Sequence, residues 1–194
     1  MAKSYDNQIT EAEVSLAIER ILIGPSSATW DPSTGRIDIG SPPANFVDLG
    51  AVVEDSPTLT ITKSKFQLEL GIPKALQYEA MMGVKGEMVL SIYGKSNDIA
   101  KYGAGTDIVS MGTFGTRIAY GKTTLKKFAI LGVADFIDGT QVVHYFHEMS
   151  LKPDYVEAIK PDQVGMLALG FDAYSHISTI HGSERIVGER VYFK

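Results

Sequence analysis

Thr58-Leu59-Thr60-Ile61-Thr62-Lys63-Ser64-Lys65-Phe66-Gln67-Leu68-Glu69-Leu70 alternates polar and apolar residues along almost its whole length. That is the period of a strand with one buried face. It sits in the middle of a longer β unit, Phe46 to Gly94. Upstream, Phe46-Val47-Asp48-Leu49-Gly50 reaches it through a turn at Glu54-Asp55-Ser56-Pro57. Downstream, a break at Gly71-Ile72-Pro73 leads into Lys74 to Ala80, and Gly83 to Gly86 leads into Glu87 to Gly94. Extended segments in a row, with short joints and few catalytic residue types, read as a structural sheet.

Within that unit the alternation changes phase. Leu59 and Ile61 fall on one face, and Phe66, Leu68 and Leu70 fall on the other by strict count. A one-residue shift near Lys63-Ser64-Lys65 restores a single apolar face, which is the mark of a β-bulge or bend. With that shift, Gln67 and Glu69 share the opposite face, as do Gln77, Glu79 and Glu87 in the following segments. The sheet then has one apolar face and one polar, acid-leaning face. Such a face meets bulk solvent or lines something polar.

Composition narrows the function. The chain has 194 residues, 44% of them hydrophobic and 21% charged, which suits one globular domain. A net charge of -5 opposes affinity for a nucleic-acid backbone. It is compatible with a surface past which nucleic acid slides. There are no cysteines, so disulfides, thiolate nucleophiles and Cys-ligated zinc are excluded. The polar stretch Met1 to Gln8 lacks the apolar core of a signal peptide, and no apolar run is long enough to cross a bilayer. A soluble protein made in the cytoplasm is expected.

The flanking segments complete a β protein. Thr10-Glu11-Ala12-Glu13 matches a capping box, and Val14, Leu16 and Ile18 alternate like a strand. One helical turn at most, followed by a strand from about Ile18 to Gly24, fits both signals, and a longer helix stays open. Pro25 to Pro43 reads as a long loop, with Arg36 to Ile39 a short strand at best. Trp30, the only tryptophan, is either a core plug or an anchor between subunits. Asn97 to Tyr102 reads as a short capped helix, and Gly103 to Gly121 as loop with short strands. Leu125 to Phe136 and Thr140 to Leu151 are strands joined by Asp138-Gly139, a hairpin signal. Val164 to Tyr174 is apolar on nearly every residue and reads as a strand buried on both faces. Glu184 to Lys194 is a last strand or an arm.

Motifs for chemistry are weak. Gly121-Lys122-Thr123 resembles the end of a phosphate loop, but the position five residues earlier is Thr116. The glycine turns Tyr102 to Gly105 and Gly112 to Gly115 lack dinucleotide spacing. His144 and His147, three apart in a strand, point to opposite faces and cannot chelate one metal. His176 and His181 have no carboxylate close in sequence. Glu69, Glu79 and Glu87 could form an acid/base pair across strands, but nothing else in the sequence supports a glycosidase, a fold that is usually larger. No enzyme is expected, and no cofactor or metal.

In order and spacing, several of these segments resemble the tail tube (major tail) proteins of long-tailed bacteriophages. The carriers are Phe46 to Gly50, the Glu54 to Pro57 turn, Thr58 to Thr62, Ile72-Pro73-Lys74 and the paired segments Lys74 to Ala80 and Glu87 to Tyr93. The Asn97 to Tyr102 helix, Phe146 to Leu151 and Val164 to Tyr174 follow. The resemblance covers somewhat over half the chain; Pro25 to Pro43 and Gly103 to Gly121 do not match it.

The resemblance implies a mainly β fold, a β-sandwich or partial barrel with a short flanking helix. It implies one domain over 1–194, with an N-terminal arm and a long loop at about 25–45. Subunits of this kind form hexameric rings that stack into a tube, and a β-barrel shared by the ring lines the channel for viral DNA. Under that reading Gln67, Glu69, Gln77, Glu79 and Glu87 are candidates for the lumen, where acidic groups repel phosphates. Trp30 and Phe46 are candidates for contact between subunits. The partners would be further copies of the chain, the tail tip or baseplate, the tail terminator, and the tape measure protein and DNA in the lumen. The site would be the virion tail, after synthesis in the bacterial cytoplasm. A tail terminator or baseplate ring, and a monomeric β-sandwich that binds carbohydrate or protein, are the competing readings.

Overall fold

A computed structural model describes residues 4–15, 18–70, 75–93, 108–110, 113, 116–118, 127–152, 156–158, 166–178 and 184–194. The strands are β1 (Ser4–Ser15), β2 (Arg20–Pro25), β3 (Val47–Ala51), β4 (Thr58–Leu70), β5 (Ala75–Tyr93), β6 (Ile108–Ser110) and β7 (Thr116–Ile118). Then come β8 (Lys127–Asp135), β9 (Gln141–Leu151), β10 (Val156–Ala158), β11 (Met166–Ala173), β12 (His176–Ser178), β13 (Glu184–Ile186) and β14 (Glu189–Phe193). A 3-10 turn spans Pro32–Thr34, and Thr113 is also 3-10 among the described residues. The expected helix at Asn97 to Tyr102 and the break at Gly71 to Pro73 lie outside them. No described helix is long and apolar enough to cross a membrane.

Ten strands form one antiparallel sheet in the order β1-β4-β5-β11-β9-β8-β2-β3, with β10 added to β11 and β14 to β9. The sheet curls until the end of β3 meets β5. A single bridge joins Val52 to Ile92, and the Val53 N–H donates to the Ser91 carbonyl at 2.8 Å. One bridge is not a ladder, so the sheet stays open rather than closing into a barrel. Gly50 makes the approach possible: its φ is +119°, and a Cβ there would stand 3.0 Å from the Tyr93 carbonyl oxygen. The β2–β3 register skips Leu49. Leu49 is fully buried, while Asp48 accepts the Gly50 N–H at 2.8 Å and pairs with Arg20.

Alternation along β2, β8 and β9 feeds two cores. Ile21, Ile23, Phe128, Ile130, Phe146 and Met149 face the first, which β4, β5 and β11 cover with Leu59, Met88, Leu90, Ile92, Leu169 and Phe171. Leu22, Ala129, Leu131, Val133, Val143 and Tyr145 face the second, covered by Ala28, Trp30, Ile37 and Phe46 of the long loop and by Val191 and Phe193 of β14. Buried Gln141 stitches that loop to the sheet. Its side chain accepts the Ile37 N–H at 2.7 Å and donates to the Ile37 carbonyl at 2.9 Å. Arg36 to Ile39 is therefore loop held by side chains, not the short strand that its pattern allowed.

Thr10 to Glu13 is strand, not a helical turn: β1 pairs with β4 without interruption from Ser4 opposite Glu69 to Ser15 opposite Thr58. The Asp138-Gly139 hairpin forms as read, with Gly139 at φ +84° and Asp138 accepting the Thr140 N–H at 2.9 Å. In β11, Leu169, Phe171 and Ala173 are buried while Ala168 and Asp172 are exposed, so the strand buries one face and not both. Ala75 to Ala80 and Glu87 to Tyr93, the described parts of two expected strands, belong to one strand. Gly83 to Gly86 lies inside the single β5.

Candidate functional site

At 19 residues, β5 extends roughly 60 Å at the usual rise per residue. Among the described residues, the first core reaches along β4 only to Ile61 and along β5 only to Val84. Beyond those points β4 and β5 continue together with β1 behind them, a three-stranded wing. Its outer strand β1 ends the sheet order, so its far side has no ladder among the described residues.

The wing also carries the phase change read from the sequence, on a different strand. The β4–β5 register shifts between Ser64 and Lys65 and again between Leu68 and Glu69, skipping Met82 and Gln77. Both extra residues belong to β5; β4 runs straight against β1. The position near Lys63 to Lys65 is right and the bulged strand is its partner. Consequently β4 keeps strict alternation, and Phe66 lies on the face opposite Leu59 and Ile61. Its ring meets that of Tyr78, which is 56% exposed, at 6.4 Å between centroids. Bulges of this kind bend and twist a long hairpin.

The lumen candidates separate accordingly. Gln67 pairs with Glu79, and Glu69 with Leu76. Gln77 is one of the two residues the register skips. Glu87 lies several rows away, between Thr60 on β4 and Asp172 on β11. Gln67 shares the core-side parity of Leu59 and Ile61, whereas Glu87 is exposed on the face turned away from Met88 and Leu90. The expected single acid-leaning face thus divides into two. Lysines also interrupt both: Lys63 and Lys65 share parity with Gln67, and Lys85 with Glu87. Glu87 itself pairs with Lys152. No two of Glu69, Glu79 and Glu87 are direct register partners: Glu69 is paired with Leu76, Glu79 with Gln67, and Glu87 with Thr60 and Asp172.

Trp30 and Phe46 are each only 6% exposed. Trp30 packs edge-on against Tyr145 and Phe193 at 5.8 and 6.1 Å. Both rings are buried inside the chain's own second core, which matches the core-plug reading of Trp30. The surface of the loop around them is what remains for a neighbour to touch.

A second cluster escaped sequence reasoning. His147 Nε2 lies 3.3 Å from Glu189 Oε1, and its ring stacks on His176 at 4.2 Å. Burial is the main cause holding the His147 imidazole below its usual pKa. The Glu189 hydrogen bond opposes the shift, and His176 adds to it. His147 also contacts the ring of Tyr145 at 4.1 Å, which places it on that face of β9. His144 takes no part: it is buried, and its Nε2 has no hydrogen-bond partner among the described residues. Burial, with the charge of Arg190, pushes its pKa down to about 4. Glu189 is 42 residues from His147 in sequence, so no local spacing announced the contact. Among the described residues no group of histidine, aspartate and glutamate is arranged to hold a metal. Gly121 to Thr123, Tyr102 to Gly105 and His181 lie outside the described residues. Set against known proteins, the sequence matches no protein-family model and no curated protein.

Proposed function

We propose that this chain is a self-assembling structural subunit of the tail-tube kind, which forms hexameric rings that stack into a channel for viral DNA in a virion tail. The observation that carries this reading is the wing. Three long antiparallel strands run past the core and end in a 12-residue edge strand, β1. An edge of that length with no ladder among the described residues offers pairing to another strand, and a closed ring satisfies every such edge by symmetry. In this reading the face of β4 and β5 turned away from the core lines the channel, with Thr60, Lys85 and Glu87 on it. Its mixed charge and the net -5 of the chain leave DNA without the basic groove that tight binding needs. The part played is architectural and not enzymatic. Its partners are further copies of the chain, the proteins that start and end the tail, and the tape measure protein and DNA within.

Negative-stain electron microscopy of the purified chain tests this. Long tubes or stacked rings are expected. Single rings that never stack point instead to a terminator or baseplate ring. A monodisperse monomer at high concentration overturns assembly and favours a binding module.

A further inference from the structure

In the three-stranded wing, β4 lies between its neighbours, antiparallel to β1 on one side and to β5 on the other. β1 and β5 therefore run in the same direction. β5 pairs with β11 only from Gly86 to Tyr93. From Ala75 to Lys85 its far side has no ladder among the described residues, and the same holds for the far side of β1. β11 ends at Ala173, and the chain turns off at Tyr174, whose N–H donates to the Glu148 carbonyl at 2.9 Å. Beside β5 this leaves a notch roughly 36 Å long at the usual rise per residue. β1, with 12 residues, spans roughly 40 Å.

Charge separates the two ways of covering these edges with a second copy. β1 carries Asp6, Glu11 and Glu13 and no lysine or arginine. Two copies of β1 paired about a two-fold axis would set carboxylates against carboxylates. The notch segment carries Lys85 as well as Glu79, so there the acidic strand meets a cation. A two-fold pairing also uses up β1 and stops, whereas β1 in the notch of the next copy repeats from subunit to subunit.

We propose that β1 of one copy pairs with Ala75 to Lys85 of the next, and that this seam is parallel. The proposal rests on the ring assembly put forward above, and on no particular number of copies. Rotation about a ring axis keeps every copy of a strand pointing the same way along that axis. Three strands per wing, an odd number, then make each junction parallel, although both pairs inside the wing are antiparallel. A wing of two or four strands would give antiparallel junctions.

Disulfide trapping in co-assembled chains reads the seam, since the chain has no cysteine of its own. One chain carries a single cysteine substitution, placed in turn at each residue of β1 from Ser4 to Ser15. A second, size-tagged chain carries Glu79→Cys or Gly83→Cys; a Cβ at Gly83 meets Ser64 Oγ at an ordinary 3.7 Å. Heterodimers then form only between copies. Their yield is expected to peak at one stretch of β1, about tenfold above the rest, because a disulfide needs Cβ atoms about 4 Å apart. In a parallel seam the peak moves toward Ser15 when the β5 cysteine moves from Glu79 to Gly83, whatever the stagger between copies. A peak that moves toward Ser4 overturns the proposal. Rings that give β1–β1 homodimers, or no β1–β5 product, overturn it too and leave ring assembly standing. A monodisperse monomer overturns both. Should Gly83→Cys fail to fold, Lys85→Cys takes its place.

Discussion

The Trp30 indole meets the Tyr145 ring edge-on, with centroids 5.8 Å apart and planes at 88°. The Tyr145 hydroxyl reaches back to the Ala28 carbonyl at 3.4 Å, so one residue of β9 holds the loop by both ring and hydroxyl. Trp30→Ala should cost about 3–5 kcal/mol of folding stability, the usual cost of emptying an aromatic core site. Trp30→Phe should cost less. Urea unfolding followed by far-UV circular dichroism measures both; a loss under about 1 kcal/mol for the alanine variant shows the second core to be dispensable.

His144 should make the fold sensitive to acid. Its folded pKa of about 4 lies below the ordinary value of 6.5, so the fold favours the neutral ring. The stabilisation is complete above about pH 6.5 and is lost as pH falls toward 4. His147, also shifted down, adds in the same direction. His144→Leu removes one titrating group and should flatten the fall in urea midpoint between pH 7 and pH 5. An unchanged slope excludes His144 as its source.

Gly86 and Val187 form a packed pair across β5 and the segment before β14. A Cβ on Gly86 would clash with Val187 Cγ1 and stand 3.1 Å from Ala173 Cβ. Valine is stiff at χ1 and cannot swing aside freely. Gly86→Ala should therefore destabilise by about 1–3 kcal/mol, and Val187→Ala in the same chain should recover part of that loss. A double-mutant cycle with no coupling shows that the strain is taken up elsewhere.

The channel wall can be probed through the absence of native cysteine. Glu87→Cys places a thiol on the proposed lumenal face, and Ser27→Cys places one on the exposed loop. In assembled tubes a bulky PEG-maleimide should label Cys at 27 and spare Cys at 87, while dissociated subunits label at both. Losing the partly exposed Glu87–Lys152 pair costs little, about 1 kcal/mol or less. Equal labelling of the assembled tubes places Glu87 outside the channel.

Local chemistry made much of this molecule readable in advance. Alternation announced the strands from Thr58 onward, because a strand with one buried face leaves period two in the sequence. Asp138-Gly139 announced its hairpin, because Gly139 needs a positive φ. Proline spacing announced the long loop. What sequence left open depended on partners distant along the chain. The capping box at Thr10 yields to a strand because β1 finds β4 along its full length, and an unbroken ladder outweighs one local cap. The phase change beside Lys65 could be absorbed by either strand of the hairpin, and β5 absorbs it at Met82 and Gln77. That choice puts Gln67 and Glu87 on different faces. The meeting of His147, His176 and Glu189 follows from three strands converging, a condition set by packing and invisible to any local pattern.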